Sequence, residues 1–237
     1  MTTDDTNKKT ARIVGALYII GTVAGILSLV VTGPILGNPD YLLNVSANEI
    51  QIIAGALFVL IMGFALALVP VMMFPILKKY NEALALGYVV FRGALETVTY
   101  IVMAITWLFL ISLSKEYVKA GSPDASYFQT LGAVLLKGHE SIDPILAIVF
   151  CLGALIFYSL LYQSKLIPRW LSGWGLAAII VWLAMGLLAM FHLIEPMSTI
   201  RLVMGIPIGL QEMVMAVWLI VKGFNPSAIA SGSATGE

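Results

Sequence analysis

The sequence predicts an all-α polytopic membrane protein, six transmembrane helices in one bundle with short amphipathic helices on the outer side. Three observations predict it. Of 237 residues, 60% are hydrophobic and only 11% charged, where a soluble domain carries about 25% charged residues. The apolar residues gather into six stretches, each about 20 residues or longer, the length that crosses a hydrocarbon core of about 30 Å. The segments between them alternate in basic charge, as loops on opposite sides of a membrane do.

The spans fall at roughly 13–32, 50–77, 86–112, 142–163, 171–192 and 201–221. Together residues 1–224 make one transmembrane domain. Lys8, Lys9 and Arg12 precede the first span and resemble the start of a signal peptide. The apolar run that follows is too long for an h-region and lacks an A-x-A-like site, so it is expected to stay as a membrane helix. Lys78, Lys79, Lys165, Arg169 and Lys222 lie on the same side as those three, giving that side eight of the thirteen Lys and Arg. Lys115, Lys119, Lys137 and Arg201 lie opposite. This bias places both termini in the cytoplasm. Trp170, Trp174 and Trp218 sit beside the basic segments as an interfacial belt.

The outer segments are longer. Asn38-Pro39-Asp40 signals a helix start, and Ser46 with Glu49 has capping-box spacing before the second span. Asn48, Gln51 and Gly55 mark that span's inward face. Ser122-Pro123-Asp124 opens a second outer helix, in which Tyr127, Phe128, Leu131, Val134 and Leu135 recur at helical spacing. Gly21 and Gly25 form a small-xxx-small pair, suited to close helix contact. Residues 225–237, rich in Ser, Ala and Gly, are expected to be a disordered tail.

Charge inside the spans is the clue to mechanism, because it costs about 2.5–3.5 kcal/mol per group at the bilayer centre. Tyr88, Arg92, Glu96, Thr99, Met103 and Thr106 fall on one side of the third helix at 100° per residue. Arg201, Gly205, Gly209, Glu212 and Ala216 share one side of the sixth. Lipid offers these groups no partner, so both faces should turn inward and bring Arg92, Glu96, Thr99 and Glu212 into one intramembrane polar pocket. One guanidinium beside two carboxyl groups leaves an excess negative charge, and one ionised with one protonated carboxyl group is the expected state. The same pairs also suit a purely structural role in fixing helix partners.

A second cluster, His139, Glu140, Asp143, His192, Glu195 and Arg201, gathers where the fourth, fifth and sixth spans meet the outer surface. His139 and Asp143, four apart, share a helix face as zinc ligands can. H-E-x-x-D is not H-E-x-x-H, however, and Asp143 before Pro144 also reads as a helix cap. No metal, cofactor or catalytic residue is assigned. No serine nucleophile motif and no Gly-rich phosphate loop is present. A formal net charge of zero points away from nucleic acid, and leaves the lipid bilayer, a small molecule or a partner protein.

With these residues in place, the chain resembles the domain-of-unknown-function 4386 family of bacterial six-span membrane proteins, from Arg12 to Phe224. The resemblance is carried by Arg12-x-x-Gly15-x-x-Tyr18, Arg92-x-x-x-Glu96, Leu166-Ile167-Pro168-Arg169-Trp170-Leu171-Ser172-x-Trp174-Gly175, Pro207-x-Gly209-x-x-Glu212 and Trp218-Leu219-Ile220-x-Lys222-Gly223-Phe224. It implies a bacterial inner-membrane location and a six-helix bundle, without a substrate or reaction. Three functional readings stand: a buried polar pocket that binds or moves a small solute, lipid or proton; a membrane-embedded metal-dependent enzyme using the outer cluster; and a scaffold or accessory subunit with structural ion pairs. The enzyme reading is the least favoured.

Overall fold

The computed structural model describes residues 3–120, 125–196 and 198–234. All regular structure among them is helical: α1 (Thr3–Leu36), α2 (Tyr41–Ala47), α3 (Glu49–Leu77), α4 (Glu82–Tyr88), a π-helical segment (Val89–Leu95), α5 (Glu96–Ala120), α6 (Ala125–Ser164), α7 (Arg169–Met190), α8 (Thr199–Val221) and α9 (Pro226–Ala234). Six helical rods are long and apolar enough to cross a membrane, with α4, the π segment and α5 forming one continuous rod from Glu82 to Ala120. The protein is a multi-pass membrane protein.

Each crossing packs on the one before and after it, and α8 returns to α1, so the six close into a ring. Between 28% and 44% of each span's most apolar window is buried inside the protein. The remainder, including Ile26, Leu57, Phe109, Ile180 and Val217, faces outward as a surface for lipid tails. Small residues set the α1–α3 seam, where Gly21 lies against Leu66 and Gly25 against Met62. Ser28 adds an interhelical bond from its Oγ to the Gly55 carbonyl at 3.0 Å.

Several local expectations change. The two outer helices differ in kind: α2 is separate, whereas the helix expected after Asp124 runs without a break through Pro144 into the fourth span, making a rod of 40 residues. The loss of one ladder bond at Pro144 does not stop it. Ser122, Pro123 and Asp124 lie outside the described residues. The capping box is not formed, since Ser46 belongs to α2 and Asn48 occupies the cap position of α3. The Asn48 amide donates back to the Asn44 carbonyl at 2.9 Å. Gln51 is exposed, not inward.

The tail is corrected as well. Residues 226–234 form α9, with Pro226 at its first position, where a missing N–H costs nothing. Asn225 Oδ1 accepts from the Ser227 N–H at 3.2 Å and the Asn225 N–H donates to the Leu166 carbonyl at 2.9 Å. Ala228 is buried, and the Tyr80 hydroxyl donates to its carbonyl at 2.7 Å. Residues 235–237 lie outside the described residues. Gly223, at φ +73°, ends α8 in the left-handed conformation that glycine adopts freely. α9 therefore meets the α3–α4 and α6–α7 turns at one end of the bundle.

Candidate functional site

Arg92 is the last-turn residue of the π-helical segment. A π turn widens the helix by one residue and is frequent at functional sites. Gly153 of α6 allows the close approach, since a Cβ there would come within 3.1 Å of the Arg92 backbone nitrogen. The side chain is 3% exposed. Its Nη1 donates to both carboxylate oxygens of Glu96, at 3.1 Å each, and its Nη2 donates to Glu212 Oε1 at 3.1 Å. Arg92 Nε is buried without a hydrogen-bond partner. The guanidinium also lies over the rings of Phe150 at 4.6 Å and Tyr18 at 5.8 Å, a favourable cation–π placement.

The three charges thus meet as their positions on two helix faces imply. Glu96 takes a further bond from the Tyr100 hydroxyl at 3.1 Å. Thr99 is brought to the same face but not into the ion cluster, because its hydroxyl donates to the Glu96 backbone carbonyl at 2.7 Å. Tyr18, Tyr100 and Gln211 carry no charge and were not among the expected site residues. Tyr18 pairs with Tyr88, oxygen to oxygen at 3.4 Å. Gln211, fully buried, accepts from Tyr158 at 2.6 Å and donates to the Leu171 carbonyl at 3.1 Å. Tyr18 stands in the Arg-x-x-Gly-x-x-Tyr pattern of the first span and Tyr100 lies four residues after Glu96. That spacing was the available signal for both.

Glu96 and Glu212 differ in access: the first is 1% exposed, the second 15%. Glu212 and Arg92 form part of the wall of a cavity of about 360 Å³, completed by Tyr100, Phe150, Trp182 and Gly209 among others. It lies between α8, which supplies five of the lining residues, and the facing parts of α1 and α6. A second cavity of about 370 Å³ sits toward the α1–α2 end, lined by Thr32, Met103, Trp107, His139 and Glu140. Met62 and Asp143 line both. Each volume is in the range of about 300–1,000 Å³ common to small-molecule sites.

The chain matches the family model described as Domain of unknown function (DUF4386) over residues 13–223. It belongs to that family. No curated protein and no solved structure matches the chain. For this DUF4386 member the site must therefore be read from its own geometry.

The outer cluster divides into three. His139 Nδ1 lies 2.7 Å from Thr106 Oγ1, and its ring stacks on Trp107 at 5.1 Å. The Thr106 hydroxyl also lies 2.7 Å from the Met103 carbonyl, and its one proton goes to that carbonyl when His139 Nδ1 carries a hydrogen and to Nδ1 in the other tautomer. Asp143 is ion-paired with Arg201 Nη1, which also donates to the Pro196 carbonyl at 2.6 Å. Asp143 is not a cap, because α6 runs through it. Arg201, placed by the sequence on the inward face of α8 as well as in the outer cluster, is 1% exposed and lies over the Trp182 ring at 4.8 Å. His192 and Glu195 are exposed and border a separate surface cleft with Lys137 and Glu140. Among the described residues no group of three His, Cys, Asp or Glu side chains is placed to hold a metal. His139, Asp143 and His192, the alternative metal-ligand set, are not brought together among the described residues.

Proposed function

We propose that this protein of the bacterial inner membrane, with both termini cytoplasmic, binds a small molecule in the cavity between α8, α1 and α6 and engages it at Arg92 and Glu212, as a carrier or receptor for that solute. The supporting observation is the position of Glu212, which is ion-paired to Arg92 yet keeps 15% of its side chain open in a cavity of about 360 Å³. An ion pair that only joins helices is best closed off on all sides, as desolvated charges need every partner they can find. Intramembrane charge beside a cavity is the usual mark of a substrate or proton path. The excess of Lys and Arg on the side of both termini supports the orientation.

Gly209 supplies the test. A Cβ added there would meet nothing within 4 Å, although the residue lines the cavity. Gly209→Leu should narrow the cavity beside Glu212 and obstruct binding without disturbing the bundle. Native mass spectrometry from mild detergent should show a bound metabolite or lipid on the wild-type protein that is missing from Gly209→Leu. Identical spectra from two equally folded proteins would refute the reading. The scaffold reading draws on the Arg92 bridge between the π segment and α8; it expects Glu212→Gln to lower stability and Gly209→Leu to be silent in the cell. The placement of His139, Asp143 and His192 offers the metal-enzyme reading no support.

A further inference from the structure

We infer that the cavity between α8, α1 and α6 takes a monovalent organic cation with an apolar body, exchanged for a proton at Glu212. This assignment rests on the cavity being a binding site and adds the class of its ligand. Charge is the first argument. Glu96 holds Arg92 Nη1 through both oxygens, so the guanidinium is matched before Glu212 is counted. Glu212 meets Arg92 through one oxygen only and is the carboxyl group of the cluster that lines the cavity, beside Arg92 itself. The other ion pair at the cavity, Asp143 with Arg201, is internally balanced. One carboxyl group therefore lacks a counter-charge, and a proton or a bound cation supplies it.

The surroundings agree. The groups that face this cluster from the packed elements are Arg92 of the π segment, Glu96 and Tyr100 of α5, Tyr18 of α1, Tyr88 of α4 and Tyr158 of α6. Arg92 is the one cation among them. From α3 and α7 the cavity receives Met62, Leu66 and Trp182, none of which ionises. Apolar side chains make up most of the wall, as an apolar body requires. Leu202 lines the cavity and is exposed on α8 with Ile206 and Leu210, an apolar approach that suits a ligand arriving from the bilayer. When the cation docks, the proton on the surplus carboxyl group leaves to water, and no other co-reactant is needed.

Two probes of the same shape separate charge from shape: phenyltrimethylammonium and its neutral counterpart tert-butylbenzene. Binding is measured by equilibrium dialysis with the protein in lipid nanodiscs, and Gly209→Leu nanodiscs supply the blank for partition into lipid. The cation should bind at least about tenfold more tightly than the neutral probe. About one proton should be released per cation bound in weak buffer. Glu212→Gln should abolish the preference and the proton release while retaining the neutral probe. Equal binding of both probes above the blank would overturn the cation assignment and leave the cavity as a binding site. Binding of neither probe above the blank would overturn both. The wild-type comparison of the two probes decides the matter even where Glu212→Gln does not fold.

Discussion

At the residue scale, Arg92 is the side chain whose loss the bundle should tolerate least. Its guanidinium divides between Glu96 and Glu212 at 3.1 Å each and stacks on Phe150. Arg92→Leu leaves two carboxyl groups beside one another without a cation, a change that costs about 3–5 kcal/mol where a buried pair is broken. Arg92→Lys should recover little, since a single ammonium cannot reproduce the planar fork. The combined Arg92→Met and Glu96→Gln protein should regain part of the loss, because it removes an orphaned charge. Unfolding of the purified proteins in increasing sodium dodecyl sulfate measures this; an Arg92→Leu curve superimposed on wild type would refute it. The three charges were legible in the sequence because apolar flanks make each an expensive exception. Tyr18, Tyr100 and Gln211 were not, because a hydroxyl or amide in a span is cheap and tyrosine also belongs at interfaces. Arg201 was placed both on the inward face of the sixth span and in the outer cluster; its sequence position does not reveal the enclosing Asp143, Pro196 and Trp182.

At the element scale, backbone conformation decides what periodicity could not. His192 was a ligand candidate because of its side chain, but its φ of 56° and its hydrogen bonds show a helix terminator. The His192 N–H donates to the Ala189 carbonyl at 3.0 Å and the Leu193 N–H to the Leu188 carbonyl at 2.9 Å, the paired bonds of a Schellman motif with His192 in the left-handed position. A side chain there costs about 1 kcal/mol or more relative to glycine. His192→Gly should thus hold or raise stability by about 1 kcal/mol, whereas His192→Val should lower it. Thermal unfolding in detergent would show this, and a marked loss in His192→Gly would mean the imidazole itself is needed. The π segment escaped in the same way. Counting at 100° per residue still placed Tyr88, Arg92, Glu96 and Thr99 on one inward face, and all four are buried, but it gave no sign that the helix widens between them. The rod through Pro144 and the docked α9 escaped because one proline or a run of small residues marks a break only where packing does not continue the helix.

At the scale of the whole molecule, six apolar crossings were legible from apolar length alone, but the rods of the first, third and fourth run well past the apolar stretches, to Thr3, Ala120 and Ala125, and the neighbour order was not legible. Outward faces in lipid are as apolar as the contacts between helices, so hydrophobicity cannot say which helix touches which. Closure of α8 onto α1, with Gly15 against Ala216 and Ile220, is what creates the seam. Above that contact the first half of α8 contributes only Arg201 and Ile208 to the interior, and the cavity fills the space left. Under the proposed orientation, an even number of crossings puts both ends of the bundle on one side, and the basic bias assigns that side to the cytoplasm. In a Cys151→Ala background, single cysteines at the exposed positions Lys9, Lys222 and Asn38 report this directly. A membrane-impermeant maleimide applied to intact cells should label Asn38→Cys, and should label Lys9→Cys and Lys222→Cys only after the membrane is opened. Labelling of Lys9→Cys and Lys222→Cys from opposite sides would break the ring, and with it the seam that holds Glu212. Labelling of both from outside would preserve the ring but invert it, turning the second cavity, at the α1–α2 end, toward the cytoplasm.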